Sequence, residues 1–139
     1  MKPVTFYVEG NPVAQPRARA RKGGGGVYNP PGPINKYREK IREHAKSNFP
    51  EPHEGALSVS IEFYFARTKE EMGSKYPAYA IWRTKKPDAD NLAKAVLDAM
   101  NGVAYVDDSQ VCHLSIVKLT ANKDGEAVTK VTISPMEVW

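Results

Sequence analysis

Residues 57–65 read Leu-Ser-Val-Ser-Ile-Glu-Phe-Tyr-Phe, which is the clearest alternation of side-chain types in the chain. Successive side chains of a β-strand point to opposite faces of the sheet, so the apolar residues at the odd positions share one face. The other face carries Ser58, Ser60, Glu62 and Tyr64. The stretch therefore predicts a strand at Leu57–Phe65 whose apolar face is buried under other elements.

A helix is predicted on each side of this strand. Apolar residues recur at three- and four-residue steps across Ile34–Phe49, and Pro50 ends that pattern. The second helix is predicted at Asn91–Asn101, with Asp88 or Asp90 as its capping residue.

Three more strands are predicted at Val4–Val8, Cys112–Leu119 and Ala127–Ser134. The last two lie on either side of a turn at residues 122–125 and are expected to form a hairpin. We therefore expect one mixed α/β (α+β) domain over residues 1–139. It would contain a largely antiparallel sheet of about four or five strands, with two main helices packed on it.

Composition excludes several classes of protein. The chain has 139 residues, of which 41% are hydrophobic, and this suits one globular domain with a modest core. No apolar run approaches the ~20 residues that span a bilayer. The single cysteine, Cys112, excludes an internal disulfide framework and a cysteine-based zinc site. No signal peptide is visible after Met1, and we expect a cytoplasmic, reducing location.

The charges are distributed unevenly. Residues 1–50 carry ten Lys or Arg against three Glu, whereas residues 51–139 carry ten Lys or Arg against thirteen Asp or Glu. Residues 10–33 form a predicted loop with five Pro and six Gly, and its basic residues are Arg17, Arg19, Arg21 and Lys22. This loop either contacts phosphates or is a flexible hairpin tip with no partner, and composition leaves both interpretations open.

Aromatic residues distinguish the polar segment Thr68–Lys86. Tyr76, Tyr79 and Trp82 are followed by the basic residues Arg83, Lys85 and Lys86. Such rings can stack on unpaired bases. More often they pack a long loop onto its own domain, and we favour that second interpretation.

The chemistry is concentrated in two acidic stretches: Lys85-Lys86-Pro87-Asp88-Ala89-Asp90-Asn91-Leu92-Ala93-Lys94, and the pair Asp107-Asp108. All five acidic residues between Pro87 and Gln110 are Asp. Magnesium prefers oxygen ligands and keeps several waters, so two or three Asp are enough to hold it. Lys94 lies one helical turn beyond Asp90, where its ammonium group would contact a scissile phosphate. This grouping favours a metal-dependent nuclease.

Each of these residues also has an ordinary interpretation. Asp90 alone is a helix cap, Asp107-Asp108 alone is a polar turn, and Lys94 with Asp98 is an exposed i, i+4 pair. The functional interpretation depends on their conjunction. An EF-hand is excluded because the loop lacks the required glycine at its sixth position. The three histidines are scattered and suggest no zinc site or catalytic triad.

Three stretches closely resemble the RusA family of Holliday-junction resolvases: Lys86-Pro87-Asp88-Ala89-Asp90-Asn91-Leu92-Ala93-Lys94, Leu97-Asp98-Ala99-Met100-Asn101-Gly102, and Val106-Asp107-Asp108-Ser109-Gln110-Val111. The matching core covers about residues 86–118. The chain departs from the family pattern in the longer Thr68–Lys86 segment and in the tetraglycine at residues 23–26.

The resemblance implies a RusA-like, homodimeric endonuclease that uses magnesium, with manganese as a substitute, to make paired symmetric nicks in four-way DNA junctions. Carried over by motif position, Asp88, Asp90 and Asp108 would be the metal carboxylates and Lys94 the catalytic lysine. Asn91 and Asp107 would support them. Lys85, Lys86 and the basic loop residues would contact DNA. The alternatives are a flap or fork nuclease, a non-catalytic junction-binding protein and a general nucleic-acid-binding module.

Overall fold

The computed structural model describes residues 1–16, 19–20, 23–24, 27–28 and 32–137. In chain order the elements are β1 (Val4–Glu9), β2 (Arg19–Ala20), β3 (Val27–Tyr28), α1 (Ile34–Asn48), β4 (Leu57–Phe65), β5 (Ile81–Trp82), α2 (Ala89–Met100), β6 (Val111–Thr120) and β7 (Val128–Pro135). Single 3₁₀ turns lie at Glu70–Met72 and Asp108–Gln110. The predicted strand at Leu57–Phe65 is confirmed, and both predicted helices are present within two residues of their expected bounds.

One five-stranded sheet organises the molecule, in the order β1-β7-β4-β6-β5. The pairs β1–β7, β4–β7 and β5–β6 are antiparallel, and β4–β6 is parallel. The prediction of a largely antiparallel mixed sheet with two helices is therefore confirmed. The predicted hairpin between the last two strands is wrong, because β4 lies between β6 and β7. The turn at residues 122–125 instead begins a connection across β4.

The core lies between one face of the sheet and the two helices. The apolar residues at odd positions of β4 are buried beside Val131 and Ile133 of β7. Helix α1 contributes Ile34, Tyr37, Ile41 and Ala45 to the same cluster, and α2 contributes Leu92, Ala93, Ala95, Val96, Ala99 and Met100. Because these stripes recur with helical spacing, burial fixes which face of each helix points outward. Within the described residues, neither helix combines the length and the apolarity that crossing a bilayer demands.

The basic loop contains a short two-stranded hairpin formed by β2 and β3. Arg17, Arg21 and Lys22 lie outside the described residues, and only the backbone of Arg19 is described. The two interpretations of this loop therefore both stand.

The segment between β4 and α2 is built around a buried carboxylate. Glu71 is 4% exposed, and its Oε1 accepts a hydrogen bond from the Thr68 amide at 3.0 Å. Arg67 donates to the carbonyl oxygens of Ala121, Glu71 and Tyr79 at 2.7–2.8 Å. The rings do not all pack inward as we favoured, because Tyr79 is 70% exposed and Trp82 is 74% exposed. The polar anchors of the segment hold its backbone without burying these two rings.

Candidate active site

Helix α2 begins at the first acidic stretch. Asp88 occupies the N-cap position with extended backbone angles, and its carbonyl oxygen accepts a hydrogen bond from the Leu92 amide at 3.1 Å. Asp is among the preferred residues at this position because its side chain usually accepts a bond from the first turn. Here the Asp88 side chain makes no such bond. Asp88 and Asp90, which lies in the first turn, are both exposed. Both carboxylates therefore remain available at the start of the helix.

Lys94 lies on the outer face of α2. Asp90 and Lys94 are four residues apart, so they share a face of the helix, and Lys94 is exposed. The exposed i, i+4 pair of Lys94 with Asp98, which was their ordinary interpretation, is not among the ion pairs of the described residues. Asp98 instead lies beside α1, where its Oδ2 is 3.8 Å from Nη2 of Arg38. The Lys94 ammonium has no ion-pair partner among the described residues.

The second acidic stretch is a rigid turn held by Gln110. Its Oε1 accepts hydrogen bonds from the Val106 and Asp107 amides at 2.8 and 2.9 Å. Its Nε2 donates to the carbonyl oxygens of His53 and Gly55 at 2.8 and 2.9 Å. Since β4 and β6 are parallel, the connections that precede them meet at one edge of the sheet. One amide thus joins the acidic turn to the loop before β4.

The two aspartates of this turn have different roles in the local structure. The Oδ2 atom of Asp107 accepts a hydrogen bond from the Ser109 amide at 3.1 Å, in a capping box with Gln110. The hydrogen bonds from Ser109 hold the pKa of Asp107 below its usual value. Asp108 is exposed, and its carboxylate has no hydrogen-bond or ion-pair partner in the described part of the chain. Of the pair, Asp108 is the one with a free carboxylate.

Tyr105 connects this turn to helix α2. The side chain is fully buried, and its hydroxyl donates to the carbonyl oxygen of Leu97 at 2.6 Å. Burial raises the pKa of Tyr105 far above its usual value, and the negative charges of Asp108, Asp98 and Asp107 add to this effect. Tyr105 thereby fixes the return of the chain from α2 to the acidic turn.

The base of the basic loop lies against the first turn of α2. The Gln15 amide donates to the carbonyl oxygen of Asn91 at 3.0 Å, two residues before Arg17. The side-chain Oε1 of Gln15 is buried and has no hydrogen-bond partner among the described residues. Lys85 and Lys86, which precede Asp88 along the chain, are exposed. The described base of the basic loop and an exposed pair of lysines therefore both adjoin the start of α2.

The donor chemistry of these carboxylates suits a hard cation. Asp88, Asp90 and Asp108 offer oxygen ligands at exposed positions, which is the set that magnesium prefers. Across the described ranges, however, no three His, Cys, Asp or Glu side chains are grouped so that they could hold a metal ion. The three aspartates have the right chemistry for magnesium. To bind one ion together, their carboxylates would have to move closer to one another.

Sequence reasoning missed two positioning residues. For Gln110 the signal was present, because Asp107 followed three residues later by Gln is the pattern of a capping box. For Tyr105 no local signal exists, since its hydroxyl partner is eight residues away and becomes a neighbour only when the chain folds back on α2.

Two comparisons with known proteins bear on this site. The chain matches the family model described as endodeoxyribonuclease RusA over residues 9–134. It is also similar to the uncharacterized protein YqaN of Bacillus subtilis (strain 168), with 33% identity over 122 residues that cover 83% of this chain and 86% of the relative. The family match includes α1, α2, the acidic turn and all the candidate carboxylates.

Proposed function

Because the chain belongs to the RusA endodeoxyribonuclease family, we propose that it is a magnesium-dependent nuclease that resolves four-way DNA junctions by paired symmetric nicks. The observation that carries this proposal is the set of carboxylates that the fold leaves unused. Asp88 occupies the N-cap position of α2, but its side chain makes no capping bond. In the acidic turn the capping bond is made by Asp107, so the carboxylate of Asp108 is not needed for it. Carboxylates that the fold leaves unoccupied are available as oxygen ligands for a hard cation.

In this proposal Asp88, Asp90 and Asp108 hold the metal ion. When bound, magnesium neutralises charge on the scissile phosphate and activates a water for attack, and manganese substitutes for it. The carboxylates have to be gathered from two elements, so part of the binding energy is used for that rearrangement and the affinity is reduced.

Lys94 is proposed to contact the phosphate directly. Its ammonium group extends from the same face of α2 as Asp90, one turn further along the helix. A cation at this position stabilises the charge that develops on the phosphate oxygens in the transition state. Asn91 supports the first turn, because its carbonyl oxygen ties that turn to Gln15.

Contacts with the DNA backbone are proposed for the basic residues of the loop after β1 and for the two lysines that precede α2 in sequence. They are Arg17, Arg19, Arg21 and Lys22 of the basic loop, together with Lys85 and Lys86. Phosphate contacts position a protein on DNA without reading its sequence. Two copies of the chain related by a twofold axis would present two such sites to a four-way junction, whose resolution needs two coordinated cuts. We place this activity in the cytoplasm.

The experiment compares cleavage of a labelled four-way junction, a flap and a linear duplex, with magnesium or with a chelator. We expect the native protein to cut the junction only with magnesium. Asp90→Asn and Asp108→Asn should lose more than ~100-fold in rate, since even indirect disturbance of a metal ligand costs roughly 10–100-fold. Manganese titration gives a second measurement that does not depend on cleavage, and Asp108→Asn should weaken manganese binding.

Asp107→Asn is the matched control. It removes the same charge from the neighbouring residue, while Asn also serves well as an N-cap. It should therefore keep most of the cleavage rate. Equal loss in the Asp107 and Asp108 variants would contradict the assignment of the ligand. Preference for flaps would favour the other branched-DNA nuclease, and junction binding without cleavage would favour a non-catalytic protein.

A further inference from the structure

Tyr79 and Trp82 form an exposed aromatic pair on the segment that leads into α2. Trp82 is 74% exposed and Tyr79 is 70% exposed, and these are the highest values among the exposed large hydrophobic residues of the described chain. Single exposed apolar residues are ordinary on protein surfaces. Two large rings three residues apart are a stronger signal, because burying an aromatic ring is strongly favourable and here this stabilisation is not used within the fold.

The backbone that carries these rings is fixed at several points. The Lys123 amide donates to the carbonyl oxygen of Ala78 at 2.9 Å, and Arg67 Nη2 donates to that of Tyr79 at 2.7 Å. Ile81 and Trp82 pair with Thr120 and Leu119 of β6. The aromatic pair is therefore displayed on an ordered support.

The residues after Trp82 are held equally firmly. The Arg83 amide donates to the carbonyl oxygen of Lys118 at 3.1 Å, and Arg83 Nη2 donates to that of Lys86 at 2.8 Å. The Arg83 guanidinium carbon lies 4.0 Å from the centroid of the Phe65 ring. Lys118 Nζ donates to the carbonyl oxygen of Lys85 at 2.8 Å. Binding a ligand on these rings would require little ordering of the chain, which favours affinity.

The charges around the pair suit a polyanion. Lys75, Lys85 and Lys86 are all exposed on the same segment, where they outnumber the acids Glu70 and Glu71, although Lys85 Nζ lies 3.9 Å from Oε2 of Glu71. The Lys75 ammonium lies 5.9 Å from the centroid of the Tyr76 ring, so cations and rings are interleaved at this surface. A surface of aromatic rings among lysines is the combination that binds exposed bases while tracking the phosphate backbone.

We propose that Tyr79 and Trp82 stack on the bases exposed at the branch point of the DNA substrate. In a continuous duplex both faces of each base pair are covered by neighbours, whereas a branch point whose arms are unstacked exposes a face. Trp82 and Asp88 are six positions apart, so their Cα atoms are separated by at most roughly 21 Å. A base held at Trp82 would thus lie within about six nucleotide steps of the cut, at 3.4 Å per step. The inference rests on the proposed function and adds branch-point recognition to it.

A second copy of this chain is the other candidate occupant of the surface. β5 is an edge strand, and an edge strand can pair with another molecule. However, β5 has only two residues, and such short edges are a recognised means of preventing this pairing. The surrounding lysines would also face the lysines of the second copy. The charges therefore favour DNA.

The test measures binding to a four-way junction and to a linear duplex of the same sequence, by fluorescence anisotropy in the presence of a chelator. Trp82→Ala should weaken junction binding by about 5- to 150-fold, which corresponds to the energy of stacking one base, and should leave duplex binding within about twofold. Trp82→Phe keeps a ring face and should retain most of the affinity. Tyr7→Ala removes a 54% exposed ring from β1, at the other edge of the sheet, and should change neither affinity.

A reporter base provides direct evidence of stacking. With 2-aminopurine at the branch point, the native protein and Trp82→Phe should change the fluorescence, and Trp82→Ala should not. The proposal would be overturned if Trp82→Ala lost affinity equally for the junction and for the duplex. It would also be overturned if both Trp82→Ala and Tyr79→Ala bound the junction with unchanged affinity. Self-association should also be measured without DNA over a range of protein concentrations. If Trp82→Ala self-associates less than the native protein, the surface belongs to a second copy and the proposal is overturned.

Failure of this inference is distinguishable from failure of the proposed function. If the native protein cuts the junction while Trp82→Ala binds it normally, only the stacking proposal fails. If Trp82→Ala loses junction binding and the reporter signal while the native protein cuts nothing, stacking stands and the nuclease assignment fails. Because the Trp82 side chain is exposed, circular dichroism and thermal melting of Trp82→Ala should match those of the native protein.

Discussion

At the scale of single residues, Gln110 organises the acidic turn without being a candidate ligand. Its amide satisfies two backbone donors on the turn and two backbone acceptors before β4. An amide can do this because it has both a carbonyl oxygen and an NH₂ group. We therefore expect the orientation of Asp108, as a proposed metal ligand, to depend on this neighbour two residues away, as residues behind a ligand commonly determine its geometry.

Gln110→Glu tests this dependence with almost no change in side-chain size. The variant would place a carboxylate oxygen against the carbonyl oxygens of His53 and Gly55, so we expect a loss of about 1–3 kcal/mol in the free energy of unfolding. We also expect manganese binding to weaken by roughly 10-fold or more at a temperature where the variant is fully folded. Denaturant unfolding and manganese titration measure the two effects.

Ser109→Ala is the control for the Gln110 variant, because it removes only the Ser109 hydroxyl and keeps both the backbone bond to Asp107 and the four contacts of the Gln110 amide. It should leave manganese affinity and stability close to those of the native protein. If Gln110→Glu lowers stability while manganese affinity is unchanged, Gln110 is structural and does not position Asp108.

At the scale of elements, helix α2 was predictable because one of its faces is apolar and the other is polar. Leu92, Val96, Ala99 and Met100 are buried, and the opposite face carries Lys94 and the acids, so periodicity identified the helix. Its start was predicted two residues late, at Asn91, because Asp88 and Asp90 both suit the N-cap position in the sequence. Asp88 occupies that position, and its side chain makes no capping bond. The Asp88 carboxylate is part of the candidate site and is not used for capping. Local helix rules therefore place the start of α2 poorly.

Glu71, which lies in the Thr68–Lys86 segment, leads to a prediction about the stability of the protein in acid. The hydrogen bond from the Thr68 amide, and more weakly the charges of Lys85 and Arg83, hold the pKa of Glu71 below its ordinary value of 4.5. A lowered pKa means that ionised Glu71 stabilises the folded state above about pH 4.5, and that this contribution is lost as the pH falls through the folded-state pKa. Glu71→Gln should therefore be less stable than the native protein at pH 7, and the difference should shrink below pH 4.5.

Urea unfolding of both proteins at pH 7 and at about pH 3 measures this difference. Glu70→Gln is the control, since Glu70 is exposed and lies on the same 3₁₀ turn. If the two proteins differ in free energy of unfolding by the same amount at both pH values, the hydrogen bonds of Glu71, and not its charge, account for the difference.

At the scale of the whole molecule, the order of the strands could not be read from the sequence. Residues 122–125 have the composition of a hairpin turn, yet the strands on either side pair with β4 and not with each other. Turn chemistry is local, whereas pairing is decided by which strands bury their apolar faces together. The count of strands and helices was predictable, and the parallel contact between β4 and β6 was not. That contact places the acidic turn beside the loop before β4.

The uneven distribution of charge predicts a strong dependence of DNA binding on salt. Each phosphate contact that is lost should reduce the slope of log affinity against log salt by ~0.9 on duplex DNA. Replacing Arg17, Arg19, Arg21 and Lys22 together by Gln should therefore reduce the slope by up to ~3.6. A double Gln variant at Lys2 and Lys36, which are exposed outside the loop, serves as the control and should change it little. Anisotropy titrations between 50 and 200 mM salt measure both slopes, and an unchanged slope in the loop variant would show that the loop makes no phosphate contacts.

Strand β7 has a consequence for the synthesis of the protein. It lies between β1 and β4 in the sheet, although the ribosome produces it after both. Until it emerges, β1 lacks the one strand that it pairs with in the described sheet, and β4 has one open edge. Nascent chains in this condition are prone to aggregation. We expect fragments that stop before Val128 to be retained by chaperones or degraded. A nuclease with this strand order would thus become competent only when translation has passed β7.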